Sequence, residues 1–250
     1  MNNTKIFVIS HKKIEIELNG EYIPIQVGNG KNLNYIRDNT GENISNKNAN
    51  YCELTGVYWI WKNYQSFENI GICHYRRYFV RNNKILTSKY INKVLKSYDI
   101  ILPKKFYFKR NIWDNYFLNG YGKEKDLITT KEVIKEKYPE YIDDFNDIMS
   151  KNYGSYCNML ITSKENFENY CNWLFDILFE VEKNTDLSNY SKEEARIYGY
   201  ISELLLNVWV KHNKLKVKEC KVKKIDEKIK DKLNMSLHMA YYKFKSKNIK

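Results

Sequence analysis

The sequence predicts an α/β fold in which a mixed, largely parallel central sheet is flanked by helices and followed by a basic C-terminal helix. Three observations predict it. Short apolar, β-branched runs, KIFVIS (5–10), YIPIQV (22–27), IGICHY (70–75), DIILP (99–103) and NMLIT (158–162), have the length of buried strands. Longer segments with apolar residues at helical spacing stand between several of them, as βα alternation requires. The 250 residues, 43% hydrophobic and 29% charged, suit one globular domain and neither a disordered nor a membrane-spanning chain. The expected division is an α/β domain over 1–224 and an amphipathic tail over 225–250.

KIFVIS ends in His11-Lys12-Lys13, and YIPIQV closes on the glycine-rich turn GNG. The polar loop RDNTGENISNKN then leads to a helix start, where Asn50 and Glu53 have capping-box spacing and Tyr51, Leu54, Tyr58 and Trp61 share one stripe. That helix runs to about Tyr64, and IGICHY follows. SKYINKVLKSY predicts a helix and DIILP a strand ended by Pro103. Residues 104–151 mix aromatic residues, glycines and lysines, and only TKEVIKEKY stands out as helical. Thr162 with Glu165 caps a long helix whose apolar residues run from Phe167 to Val181. Ser191 with Glu194 opens another, with Ile197, Ile201, Leu204, Leu205 and Val208 on its apolar face and Arg196, Tyr200, Glu203 and Asn207 in a polar row opposite. LKVKECKVKKI, with lysines alternating, predicts an edge strand. Beyond it Ile225, Ile229, Leu233, Leu237, Ala240 and Phe244 line one side of a very basic helix.

The formal charge is +12, and residues 211–250 carry 14 lysines against four acids, so nearly all of the excess is C-terminal. Five cysteines (Cys52, Cys73, Cys157, Cys171, Cys220) without a CxxC pair predict reduced thiols rather than a disulfide framework or zinc knuckle. No apolar run has membrane-spanning length, and MNNTKIFVISHKK lacks the apolar core of a signal peptide, which predicts a cytoplasmic chain.

Exclusion narrows the chemistry. The glycine loops GxGxxG and GxxxxGKS/T, the zinc motif HExxH, the GxSxG elbow and Asp-x-Asp are all missing from the sequence. A phosphate ligand would therefore meet protein cations. GICHYRRYF (71–79) supplies them: guanidinium groups pair phosphate oxygens bidentately and an imidazole adds a hydrogen bond. On an extended backbone His74 and Arg76 share one face while Tyr75 and Arg77 take the other, so all converge only where the strand ends and bends. The carboxyl end of a strand is where ligands bind in open α/β sheets. Glu203, flanked by Arg196 and Tyr200, is a candidate general base and Asp99 a second. His11 stands at the end of the first strand. Asn43, Ser45, Lys47 and Asn48 form a polar loop that either contacts a nucleotide or serves ordinary capping.

The blocks KIFVISHK, YIPIQVG, GENISNKNANYCELTGVYWIWKNY, GICHYRRYF, DIILPKK, NMLITSKENFENYCNWLFDILFEVE and ARIYGYISELLLNVWV, in this order to about Val210, resemble bacterial capsular and exopolysaccharide glycosyltransferases, some of which transfer galactofuranose. The resemblance implies a GT-A-like fold, a nucleotide-sugar donor such as a UDP-hexose and a lipid-linked glycan acceptor. In related folds the corresponding strand ends in Asp-x-Asp, and here His74-Tyr75-Arg76-Arg77 takes that slot. Two departures stand out: Leu204 follows Glu203 where the family tends to have arginine, and the loop before Asp126-Leu127 lacks the histidine that the family often carries there. Either implies altered acceptor choice or weakened activity.

The expected function is thus hexosyl transfer to a glycan hydroxyl in capsule, exopolysaccharide or O-antigen synthesis. Glu203 or Asp99 would deprotonate the acceptor and His74, Arg76 and Arg77 would neutralise the leaving diphosphate. His11, Asn43, Ser45, Lys47, Asn48, Tyr75, Asn158, Arg196 and Tyr200 complete the expected substrate-binding set. No cofactor is assigned; manganese or magnesium is allowed, without an Asp-x-Asp to hold it. The basic tail is expected on the anionic inner face of the membrane, making the protein peripheral. The alternative is a non-catalytic protein binding nucleic acid or another polyanion through the same tail and aromatic-basic strand.

Overall fold

The apolar runs form strands buried on both faces, as parallel sheets covered by helices demand. The computed structural model describes residues 3–18, 20–225 and 229–247. Strands β1 (Thr4–Ser10), β2 (Tyr22–Gln26) and the short β3 (Ile36–Arg37) precede helices α1 (Asn48–Tyr51) and α2 (Leu54–Asn63). Next come β4 (Asn69–His74), β5 (Arg77–Arg81), β6 (Lys84–Ile85), α3 (Ser88–Leu95), β7 (Ile100–Pro103) and β8 (Phe106–Tyr107). Helices α4 (Ile112–Leu118), α5 (Glu124–Lys137) and α6 (Ile142–Ser150) lead to β9 (Tyr153–Gly154) and β10 (Leu160–Ser163). The long α7 (Lys164–Lys183), α8 (Ile197–His212), β11 (Val217–Lys224) and α9 (Ile229–Lys247) follow.

Nine strands form one sheet in the order β3-β2-β1-β4-β10-β7-β11-β5-β6, while β8 and β9 pair separately. Only β10 and β5 oppose their neighbours in the large sheet, so it is mixed and mostly parallel. The period of two divides the core. Phe7, Ile9, Ile70 and Ile72 face α2, α7 and α8 on one side, whereas Ile6, Val8, Cys73 and Ile161 meet Ile91 and Val94 of α3 on the other. Full burial of each such side chain contributes about 1.5–3 kcal/mol, which fixes the register of β4 and the point where it emerges.

Several sequence expectations change. The chain does not run as one helix from Asn50: Cys52, at φ 54°, separates α1 from α2. No capping box forms there, because Asn50 Nδ2 donates to the Ala195 carbonyl at 2.7 Å and Glu53 Oε1 accepts from Asn158 Nδ2 at 2.8 Å. Ser163, not Thr162, caps α7, accepting from Asn166 N at 3.2 Å, while Thr162 Oγ1 donates to the Asp99 carbonyl at 2.7 Å. The Ser191–Glu194 box does form, with reciprocal bonds of 2.9 and 3.2 Å, and opens the 3-10 turn (Glu194–Arg196) leading into α8. Residues 104–151 hold three helices, which pack on one another and on α7 and α8.

The expected edge strand β11 is internal, parallel to β7 and antiparallel to β5. Its alternation reflects a solvent-facing side, with Lys221 and Lys223 exposed, rather than a free edge. Helix α9 lies against the two-stranded β8–β9 sheet through His238, beside Phe106, and Met239, whose sulfur accepts from Tyr107 N at 3.2 Å. Its other side leaves Leu237, Tyr241 and Phe244 open to solvent. Of the expected stripe, the side chains of Ile229 and Leu233 lie outside the described residues.

Candidate functional site

The site is built where β4 emerges from the core. His74 ends β4 and pairs with Arg77, the first residue of β5, so Tyr75 and Arg76 form a tight turn. Its backbone is pinned three times: Tyr75 N donates to Ile9 O at 3.1 Å, Tyr78 Oη donates to Tyr75 O at 3.1 Å, and Ile225 N donates to Arg76 O at 2.8 Å. A turn so held splays its side chains in fixed directions. Arg76 is exposed, its guanidinium 4.9 Å from the Tyr75 ring centre, and Tyr75 meets His11 edge-on at 5.0 Å.

Lys12, Lys13, Glu15, Tyr75, Arg76 and Ile225 line a cavity of about 120 Å³. The Tyr75 hydroxyl is buried without a hydrogen-bond partner. Among the described residues neither Arg76 nor Arg77 forms an ion pair. Desolvation, then repulsion from Lys12, Arg76 and Arg196, holds His11 below the ordinary imidazole range. Among the described residues that line the cavity three cations thus stand against one acid, Glu15, an excess of positive charge that an anionic ligand relieves.

Arg77 points elsewhere. A second, smaller cavity of about 30 Å³ is lined by Cys52, Glu53, Arg196, Gly199, Tyr200 and Glu203. Glu203 projects into it from α8; burial first and the neighbouring Glu53 second raise its carboxyl from 4.5 to about 8, against the opposing pull of the Cys157 N–H, Arg77 and Arg196. Leu204 faces the core instead, so the cations opposite Glu203 come from β5 and from the turn before α8, not from the next position in the chain. Arg196 Nε donates to Cys52 Sγ at 3.1 Å, and its guanidinium lies 5.4 Å from the Tyr200 ring centre. Gly199 permits this approach of α8 to α1: a Cβ there would sit 3.3 Å from Cys52 Sγ.

The loop before β10 ties the end of β4 to α8. His74 is buried and its Nε2 donates to the Cys157 carbonyl. Burial lowers its pKa and Arg77 adds to that, with Glu53 opposing, so the ring is a neutral donor rather than the cation expected of it. Asn158 Nδ2 donates to Glu53 Oε1 and, at 3.0 Å, to Gly199 O, while Ser202 Oγ donates to Asn158 Oδ1 at 2.9 Å. Asn207 clasps the Ser155 backbone through two bonds of 2.8 Å. Cys52, Cys157 and Asn158, at φ 54°, 78° and 47°, all adopt the left-handed half of backbone space. Such conformations cost on the order of 1–3 kcal/mol each and gather at functional sites.

The structure therefore brings together His11, His74, Tyr75, Arg76, Arg77, Asn158, Arg196, Tyr200 and Glu203. Asp99 lies at the opposite, amino-terminal end of β7, where its carboxylate accepts from Lys216 N at 2.7 Å. The polar loop serves local structure: Asn43 Oδ1 accepts from Ser45 N at 3.2 Å, Asn48 Nδ2 donates to Cys52 O at 2.7 Å, and Lys47 pairs with Glu182 at 2.6 Å. Glu53 and the lysine pair 12–13 were missed. Glu53 was concealed by its capping-box spacing; Lys12 and Lys13 had a visible signal in their place at the carboxyl end of β1.

The family described as a domain of unknown function (DUF4422) matches residues 5–214. Comparison with curated proteins gives no match. Among solved structures, the apo form of the bifunctional glycosyltransferase WbbM superposes with a TM-score of 0.82 at 30% sequence identity, covering 90% of this chain and 46% of WbbM. The chain thus spans less than half the length of that protein.

Proposed function

The chain belongs to the family described as a domain of unknown function (DUF4422), and from that premise we propose that it is a GT-A-like glycosyltransferase. It moves a hexosyl group, pyranose or furanose, from a nucleoside-diphosphate sugar such as a UDP-hexose to a hydroxyl of a glycan acceptor in capsule, exopolysaccharide or O-antigen synthesis. The likeness to WbbM supports glycosyl transfer. The observation that carries the reading is the pinned turn at the end of β4, whose Arg76 shares a cavity with Lys12 and Lys13 next to the acidic cavity of Glu203.

In the proposed reaction the acceptor hydroxyl gives its proton to the Glu203 carboxylate and its oxygen bonds the anomeric carbon. The bond from that carbon to the phosphate oxygen breaks, and the electron pair leaves with the diphosphate. Arg76, Lys12 and Lys13 meet that charge with charge-assisted hydrogen bonds, and the Tyr75 hydroxyl offers a neutral donor. His74 positions the Cys157 loop, and Arg77 faces the acids. The cations take the part that a metal held by Asp-x-Asp would play; among the described residues no three His, Cys, Asp or Glu side chains gather as metal ligands.

The proposed acceptor is lipid-linked. Among the described residues no helix is long and apolar enough to cross a membrane. The outward residues Leu237, Tyr241 and Phe244 of α9, with Lys243 and Lys245 beside them, support peripheral association with an anionic membrane surface on the cytoplasmic side.

A thermal-shift screen of nucleoside diphosphates and nucleotide sugars, with and without manganese, tests the reading. A ligand at 100 times its Kd stabilises by about 2.7 kcal/mol, which raises Tm by roughly 5–10 °C in a chain of this size. Arg76→Ala should abolish the shift. Tight RNA binding with no response to any nucleotide would contradict it.

A further inference from the structure

Two carboxylates share one small cavity, and only one of them has a part in the reaction described above. Glu53 is held at the N-terminal end of α2, where the helix dipole favours negative charge, and its Oε1 accepts from Asn158 Nδ2 at 2.8 Å. Glu203 faces it from α8 across the same cavity. Asn158 is itself fixed by Gly199 O and Ser202 Oγ, so the helix that carries Glu203 also holds the residue that anchors Glu53. Burial first and the facing Glu53 second make Glu203 hold its proton more tightly than an exposed carboxyl does.

We infer that Glu53 is an anchored positioning residue for Glu203: fixed by Asn158, it faces Glu203 across the small cavity and strengthens it as the base that receives the acceptor's proton. This role rests on the glycosyl-transfer reading. The proton leaves the acceptor oxygen as that oxygen bonds the anomeric carbon, and Glu203 passes it to solvent after product departs, so no further reactant is needed. The field of Glu53 adds to burial in making Glu203 a stronger base than an isolated carboxylate.

The groups facing the pair leave Glu203 as the one that changes charge near neutral pH. Arg77 reaches it from β5 and Arg196 from the turn before α8, both permanently charged. His74 from β4 is shifted down by burial and stays neutral above its ordinary range. The thiols of Cys52 and Cys157 are shifted up, chiefly by burial. So are the hydroxyls of Tyr121, Tyr156, Tyr170 and Tyr200. Lys224 acts on Cys157 from the end of β11.

Carbon-13 NMR of glutamate carboxyls in the full chain reads the pair directly, with Glu203→Gln identifying the resonance. The Glu203 midpoint should lie well above the ordinary carboxyl range in the native protein. It should fall by at least one pH unit, a tenfold loss of proton affinity, in Glu53→Gln and be restored in Glu53→Asp, which keeps the charge. A midpoint near 4.5 in the native protein would overturn the inference whether or not any variant folds. So would an unchanged midpoint in folded Glu53→Gln, or equal shifts in the Gln and Asp variants. If transfer is seen, its pH profile should move with the midpoint. A chain that shows the NMR shift but turns over no nucleotide sugar keeps the pair and contradicts only the transfer reading.

Discussion

Glu203→Gln removes a charge from the smaller cavity while keeping the side chain's shape, and its consequence for stability is calculable. The carboxyl moves from 4.5 to about 8 on folding, and at ~1.36 kcal/mol per pH unit this makes ionised Glu203 about 5 kcal/mol less favourable in the folded protein than in the unfolded one. Because the folded pKa is the higher, the protonated carboxyl costs nothing below the unfolded value; the loss grows as pH rises and is complete above about 8. The glutamine variant should therefore match the native protein near pH 4 and exceed it by several kcal/mol at pH 9, with about 5 as the ceiling. Urea denaturation at pH 4, 7 and 9 measures this: at an m-value of about 2–3 kcal/mol/M, the pH 9 midpoint should rise by about 2 M. A difference between variant and native protein that stays constant from pH 4 to pH 9 refutes the reasoning. A gain in stability at the expense of activity is the expected mark of a group kept for function.

Gly122→Ala places a Cβ 2.2 Å from Tyr116 Oη and 2.5 Å from Asp126 Oδ2, and should cost roughly 1–3 kcal/mol in urea denaturation; an unchanged midpoint would contradict the packing of the loop that carries Tyr121. Replacing Leu237, Tyr241 and Phe244 together by serine should reduce co-sedimentation with anionic vesicles at least tenfold, since each buried apolar side chain contributes about 1.5–3 kcal/mol, while the urea midpoint stays constant; undiminished co-sedimentation would remove the membrane role of α9. Chelation by EDTA should leave nucleotide-sugar turnover within about twofold, because cations rather than a metal are assigned to the diphosphate; loss of turnover restored by manganese would reverse that assignment.

Strands β1, β2, β4, β7 and β10 and helices α3, α7 and α8 were legible because a period of two or 3.6 is written into residues that must be buried. The motif at the end of β4 was legible for the same reason: a buried strand that runs into arginines must emerge from the core there. β5 was hidden because Arg77 and Arg81 bracket its apolar centre and make it look like a continuation of the motif. β11 was misread because alternate lysines describe an exposed face as well as an exposed edge, and pairing with β7 and β5 is a tertiary fact. Glu53 was hidden because the break at Cys52 depends on packing against Gly199, a contact between residues far apart in sequence. Of the two arginines of the motif, adjacent in sequence, Arg76 lines the larger cavity while Arg77 acts by its charge on Glu203.

The central claim is that the turn after β4 meets a diphosphate leaving from a sugar. Its most direct measurement is the release of nucleoside diphosphate from a panel of nucleotide sugars, with the native chain compared with Arg76→Ala and with Lys12→Ala/Lys13→Ala. The account predicts release from at least one donor, and a loss of 100-fold or more in Arg76→Ala, about 2.7 kcal/mol of lost transition-state stabilisation. Release that is undiminished in Arg76→Ala, or no release from any donor, contradicts it.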